Sequence, residues 1–170
     1  MCIDQHAADE RIRLELFQKH VRSMLRSDVL STPVRVRMPP VLVLAVEKYN
    51  HAVVAWGWRV RPIGCAEVEV AAVPGLSFDM DPGRPRPALS ADDIVPFVED
   101  VRSCQGKFGA TVPKVLLLKL VSRSCRGALM FNTAISHAQC RDLVADLSET
   151  THSLICSHGR RSVVPLFTLA

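Results

Sequence analysis

The chain predicts an α+β fold, and three observations predict it. Helix-period and strand-period stretches follow one another without the regular strand–helix alternation of a parallel sheet. Turn chemistry is concentrated at a few joints, most densely in the proline-rich stretch Asp79 to Leu89. The 170 residues are 48% apolar and 22% charged, enough for one large domain or two smaller subdomains sharing a core. Aromatics make up only 5%, so that core must rest on Val, Leu, Ile and Ala.

The first element is an amphipathic helix from Ala7 to about Leu25. Ile12, Leu16, Phe17, His20, Val21 and Met24 lie on one stripe, with arginines opposite. Val34 to Met38 alternates like a half-buried strand that Pro39-Pro40 ends, and Val41 to Leu44 extends an edge strand. Val46, Tyr49, Val53 and Val54 support a short helix closing at Gly57. Arg59 to Ile63 and Ala66 to Val73 form a hairpin around Gly64, and Asp79 to Leu89 is a surface loop.

Ser90 is a good N-cap for a helix whose apolar stripe is Ile94, Phe97, Val98 and Val101. Pro113 opens a helix running to about Met130, apolar nearly all round and so the buried centre of its subdomain. Ser136 and Gln139 form a capping box for a helix through Leu143 and Leu147. The chain then ends in extended pieces, Leu154 to Cys156 and Ser162 to Leu166, flanking a His158-Gly159-Arg160 turn. On this reading 1–28 and 113–170 build one unit, and 29–112 is inserted in it.

The net charge of +4 comes from sixteen arginines and five lysines against seventeen acids. Arginine suits phosphate recognition through its planar fork, but so small an excess fits a solvated basic surface equally well. No signal-peptide pattern opens the chain, and no apolar run approaches the roughly 18 residues of a membrane span. With no secretory signal, the six cysteines point to free thiols in a reducing compartment. Cys65, Cys104 and Cys140 stand singly, as small hydrophobes.

The candidate chemistry lies in three segments. Asp4-Gln5-His6 leads into a helix in which His6 and Glu10, four residues apart, share a face and can grip one ion. Cys125 and the pair Cys156 and His158 add thiolates and a second imidazole, all zinc-binding types. Each residue also has a plainer reading. Asp4 and His6 can serve only as a cap that complements the helix dipole. Glu10 can pair with Arg11 or Arg13, Cys125 can be core packing, and Cys-x-His is common by chance. Spacing alone does not bring the segments together.

Asp4, Gln5, His6, Ala7, Glu10 and Glu15 resemble the Asp-Gln-His-Ala-x-x-Glu-x-x-x-x-Glu endonuclease signature of MutL-type mismatch-repair proteins. The stretch from Asp4 to Glu15 is most similar to the meiotic eukaryotic branch. Ser124-Cys125-Arg126 is similar to that family's Ala-Cys-Arg, and Cys156 to Arg161 to its Cys-Pro-His-Gly-Arg-Pro. Met130-Phe131-Asn132, Ser136-His137 and Cys140 to Val144 resemble the connecting segment.

The resemblance implies a MutL C-terminal domain: a dimerisation subdomain bearing the metal site, interrupted by an inserted regulatory subdomain. It implies His6, Glu10, Cys125, Cys156 and His158 as ligands, with Zn2+ bound and Mn2+ or Mg2+ as activating ion. Asp4, with Glu10, would be catalytic in nicking double-stranded DNA, and Arg126 and Arg160 would contact its phosphates or pair with Asp4 or Glu15. The partner implied is a second MutL-homologue subunit, meeting the apolar area of the terminal unit; the compartment implied is the nucleus. Some such domains also bind a sliding clamp through a glutamine-led peptide, but no glutamine here is followed by the required pattern.

Three departures are visible. Only Met1-Cys2-Ile3 precede the signature where the family usually has two strands, so the chain reads as a fragment. Ser157 and Arg161 stand where the family prefers proline, which loosens the turn. The ATPase domain of full-length relatives is absent, so no ATP hydrolysis is expected here. Two competing functions follow: a catalytically inactive zinc-binding dimerisation module, and a basic DNA-binding scaffold whose His and Cys are incidental.

Overall fold

The structure is a computed structural model that describes residues 1–76 and 89–166. The expected loop at 79–89 falls almost wholly outside them. Two compact units emerge: Met1–Lys19 with Leu120–Ala170, and His20–Lys119. Their boundaries lie inside two helices, rather than at 28 and 113.

In the first unit a short strand, β1 (Cys2–Ile3), pairs antiparallel with β5 (Val163–Val164). The Asp4 amide continues the pairing to the Ser162 carbonyl, 2.9 Å away. The next helix, α1 (Gln5–Met24), starts where Asp4 leaves the strand. Asp4 Oδ1 accepts the amides of His6 and Ala7 at 2.9 and 3.0 Å, satisfying two of the donors every helix leaves open at its start.

Ala8 and Ile12 of α1 pack with Leu147, walled by Ile3, Leu16, Leu143 and Val163. Leu147 comes from α6 (His137–Ser148), which opens with the expected reciprocal box between Ser136 and Gln139. The end of α5 (Lys114–Gly127) also belongs here; it stops at Gly127, short of Met130. Across the terminal segment Ile155 bridges to Arg161, closing the loop that contains His158.

The second unit centres on a three-stranded antiparallel sheet, in the order β2 (Leu25–Arg37), β4 (Glu67–Leu76), β3 (Arg59–Gly64). The hairpin of β3 and β4 forms as expected, pairing Val60 with Val70 and Pro62 with Val68. A register shift between Val29 and Val34 lets β2 run much longer than the alternation at 34–38 suggests. Val68, Val70 and Ala72 of β4 are fully buried, as are Ile94, Phe97, Val98 and Val101 of α4 (Ile94–Ser103). The Trp58 and Phe97 rings meet at 5.6 Å. Ser90 and Asp93 form a capping box over the 3-10 turn that leads into α4. Gly57, at φ +84°, reverses the chain after α3 (Asn50–Ala55), and an added Cβ would lie 3.0 Å from the Arg26 carbonyl.

Several expectations are corrected. Val41 to Leu44 is helical, within α2 (Pro40–Lys48), because Pro40 fits a helix start and Leu42, Val43, Ala45 and Val46 make one buried face. On α1, His20 is exposed and Arg11 is buried. On α5, Val115, Leu116 and Leu120 are buried but Leu118 is 58% exposed, so that helix has a solvent side. Cys65 lies exposed in the hairpin turn. Among the described residues all six cysteines are free thiols, and no helix is long and apolar enough to cross a membrane.

A candidate metal centre

The three segments meet in the first unit. One turn of α1 carries His6 and Glu10, whose Nε2 and Oε2 are 3.8 Å apart. Cys125 on α5 places its Sγ 3.9 Å from His6 Nε2. Cys156 and His158 come from the closed terminal loop, where His158 Nδ1 lies 2.6 Å from Glu10 Oε1. Two donor groups result, His6 with Glu10 and Cys125, and Glu10 with Cys156 and His158; within each, the donor atoms lie within 4.8 Å of one another. Glu10 belongs to both.

The chemistry of this set fits a zinc-like ion. A tetrahedral ion with bonds of about 2.0 Å to nitrogen and 2.3 Å to sulfur separates those donors by about 3.5 Å, close to the His6–Cys125 distance. Glu10 is only 2% exposed, and its carboxylate lies against two imidazoles. A buried carboxylate needs positive compensation. The 2.6 Å contact with His158 is a hydrogen bond whose proton a cation can replace.

The surroundings fix which atoms are offered. The Leu129 carbonyl lies 2.8 Å from His6 Nδ1. A carbonyl only accepts, so Nδ1 carries the hydrogen and Nε2 keeps its lone pair for the cage. Leu129 is itself held, since Asp9 Oδ2 accepts its amide at 2.8 Å. Gln5 Nε2 donates to the carbonyls of Met130 and Thr133, and the Phe131 ring covers His6 at 4.7 Å. In the terminal loop, the Cys156 amide donates to the Arg160 carbonyl at 2.8 Å and the His158 amide to Cys156 Sγ at 3.3 Å. Gly159 makes this reversal at φ +78°, a conformation costly for any residue with a Cβ. The loop thus closes with Ser157 and Arg161 in place of prolines.

Burial pushes the Cys125 thiol above its ordinary value and the Glu10 carboxylate adds to the rise, while Arg160 and Arg126 oppose it. Both arginines are therefore close enough for their charge to be felt at the cage. Arg126 also donates to Ser122 Oγ at 2.9 Å. Of the arginines that could pair with Glu10, Arg11 lies 3.7 Å from Glu15, and Arg13 3.1 Å from Asp9. Asp4 stands apart from the ligands. It is exposed, its Oδ1 is used by the helix cap, and it belongs to neither donor group. Sequence reasoning missed the Leu129 carbonyl and the burial of Arg11. The first leaves no side-chain signal, and a helical arginine reads as solvated until its burial is known.

An α+β unit thus carries a buried carboxylate common to two His/Cys donor groups that could hold a metal ion. Residues 1–84 match the family model of the MutL C terminal dimerisation domain. Over 98% of its length the chain is 29% identical to the DNA mismatch repair protein MLH3 of Arabidopsis thaliana, spanning 15% of that protein. It is 25% identical over 96% of its length to the DNA mismatch repair protein MutL of Agathobacter rectalis and, again over 96%, to Mlh3 of Homo sapiens, spanning 24% and 12% of them. The first 84 residues thus resemble a MutL C-terminal dimerisation domain, and the chain spans a quarter or less of these curated relatives.

Proposed function

We propose that the chain is the metal-dependent endonuclease domain of a MutL homologue, nicking double-stranded DNA as a heterodimer with a second MutL-type subunit, in the nucleus. The observation that supports this most is Glu10, buried and common to two donor groups built from segments far apart in sequence. His6, Glu10 and Cys125 would hold one ion, and Glu10, Cys156 and His158 would hold another. The thiolates favour Zn2+, and the shared carboxylate also suits Mn2+ or Mg2+. When bound, such ions lower the pKa of a coordinated water and neutralise charge on a phosphodiester under attack.

The protein's own groups do the rest. The Leu129 carbonyl keeps His6 Nε2 turned toward the cage. Asp4, at the entry to α1, has a carboxylate oxygen that the cap does not use, available to take a proton from an attacking water. Arg126 and Arg160, whose charges reach Cys125, supply donors for phosphate oxygens.

The position of Asp4 outside both donor groups favours a second reading, a zinc-binding dimerisation module without catalysis. One experiment separates the two. The heterodimer is incubated with supercoiled plasmid and Mn2+, and its zinc content is measured in parallel. Nicked circles that vanish with Asp4→Asn while zinc is retained support the nuclease. Bound zinc without nicking selects the structural module. Loss of stoichiometric metal from the wild-type protein sinks both, and leaves the basic scaffold.

A further inference from the structure

Arg11 and Glu15 stand just beyond the cage on α1 and have no part in either donor group. Arg11 Nε donates to the Ile155 carbonyl at 2.6 Å, and its Nη2 to the Cys156 carbonyl at 2.8 Å. Glu15 Oε2 accepts the Thr151 amide at 2.7 Å, and its Oε1 the His152 amide at 3.1 Å. The two side chains lie 3.7 Å apart, one helical turn from each other. Arg11 is 7% exposed, so Glu15 also balances a buried charge.

We infer that Arg11 and Glu15 are positioning residues that hold the Cys156–His158 arm of the centre in register with Glu10. The inference rests on the reading of the cage as a metal site. The Cys156 carbonyl accepts both the Arg11 fork and the Gly159 amide, the latter at 3.1 Å. It therefore ties the left-handed reversal directly to α1. Arg11 is the neighbour of Glu10 in sequence, so the helix turn that delivers the shared ligand also grips the arm that must meet it. Two carbonyls of consecutive residues need a planar fork with fixed spacing; a lysine ammonium can replace only one of the two bonds. The grip is local to one arm. The other arm is set by Leu129, Asp9 and Gln5, without Arg11 or Glu15.

That asymmetry gives the test. In the heterodimer carrying Cys125→Ser, the near-ultraviolet thiolate-to-cobalt absorption reports the Cys156 arm; in Cys156→Ser it reports the Cys125 arm. Titration with Co2+ measures each affinity, and Arg11→Lys or Glu15→Gln is then added to both backgrounds. Partners that orient metal ligands change affinity by about 10–100-fold. The expected result is a loss in that range at the Cys156 arm, with the Cys125 arm unchanged within about threefold and Glu15→Gln milder than Arg11→Lys. Equal weakening of both arms marks a purely structural pair and overturns the inference, as does no change at either. Absence of cobalt binding from the wild-type protein overturns the metal reading itself, and the inference with it.

Discussion

Gly159→Ala isolates what the terminal reversal contributes to the centre. A Cβ at this position meets no atom within 4 Å, so no steric clash enters. What remains is the backbone, because φ of +78° lies in the left-handed region, which costs a residue with a Cβ about 1–2 kcal/mol. If the metal-bound protein requires the reversal and the free loop can relax out of it, this penalty falls on metal binding. It corresponds to about a 5- to 30-fold loss of zinc affinity, at RT of about 0.59 kcal/mol. Chelator competition on the heterodimer measures it. Gly64→Ala is the control: its Cβ also meets nothing within 4 Å, and its φ is not left-handed. It should leave affinity unchanged and can raise stability by about 0.4–1 kcal/mol, through the unfolded chain. Gly159→Asn should recover part of the loss, since asparagine tolerates this conformation better. Equal zinc affinity in Gly159→Ala and Gly64→Ala would refute the reasoning, because it would mean that the centre does not need the turn.

Other outcomes follow from the same geometry. Glu10→Gln should remove more bound zinc than His6→Ala or His158→Ala, measured as metal per heterodimer after gel filtration, because it strips a donor from both groups at once. Removing zinc by chelation should lower the apparent melting temperature, since a ligand bound only by the folded state stabilises it. Leu116→Ala, in the buried face of α5, should cost about 2–5 kcal/mol, while Leu118→Ala on the exposed face of that helix should stay within about 0.5 kcal/mol by denaturant titration. Ser136→Ala removes the oxygen that accepts the Gln139 amide and should cost about 1 kcal/mol in the same assay.

Local chemistry was legible where it determines structure by itself. The Ser136–Gln139 box, the Ser90 cap, the turn at Gly57 and the β3–β4 hairpin all form where their residues place them. The run Val41 to Leu44 was misread because four apolar residues fit a buried strand or a buried helix face equally well. Pro40, which suits the first turn of a helix, was the signal that could have decided it. The α5 helix was overburied for a related reason, as apolar residues such as Leu118 do appear on surfaces. The metal-binding residue types were legible in three motifs, but their meeting was not. His6 and Glu10 share a helix face by periodicity, whereas Cys125, Cys156 and His158 reach them only through tertiary packing. The grip of Arg11 on two carbonyls was invisible for the same reason: backbone acceptors have no sequence signature.

A single carboxylate common to both donor groups makes their occupancies interdependent. Were both groups filled as proposed, charge that Glu10 lends to one cation would be withdrawn from the other, and the two cations would repel across it. On the proposed metal reading, filling one group would weaken binding at the other.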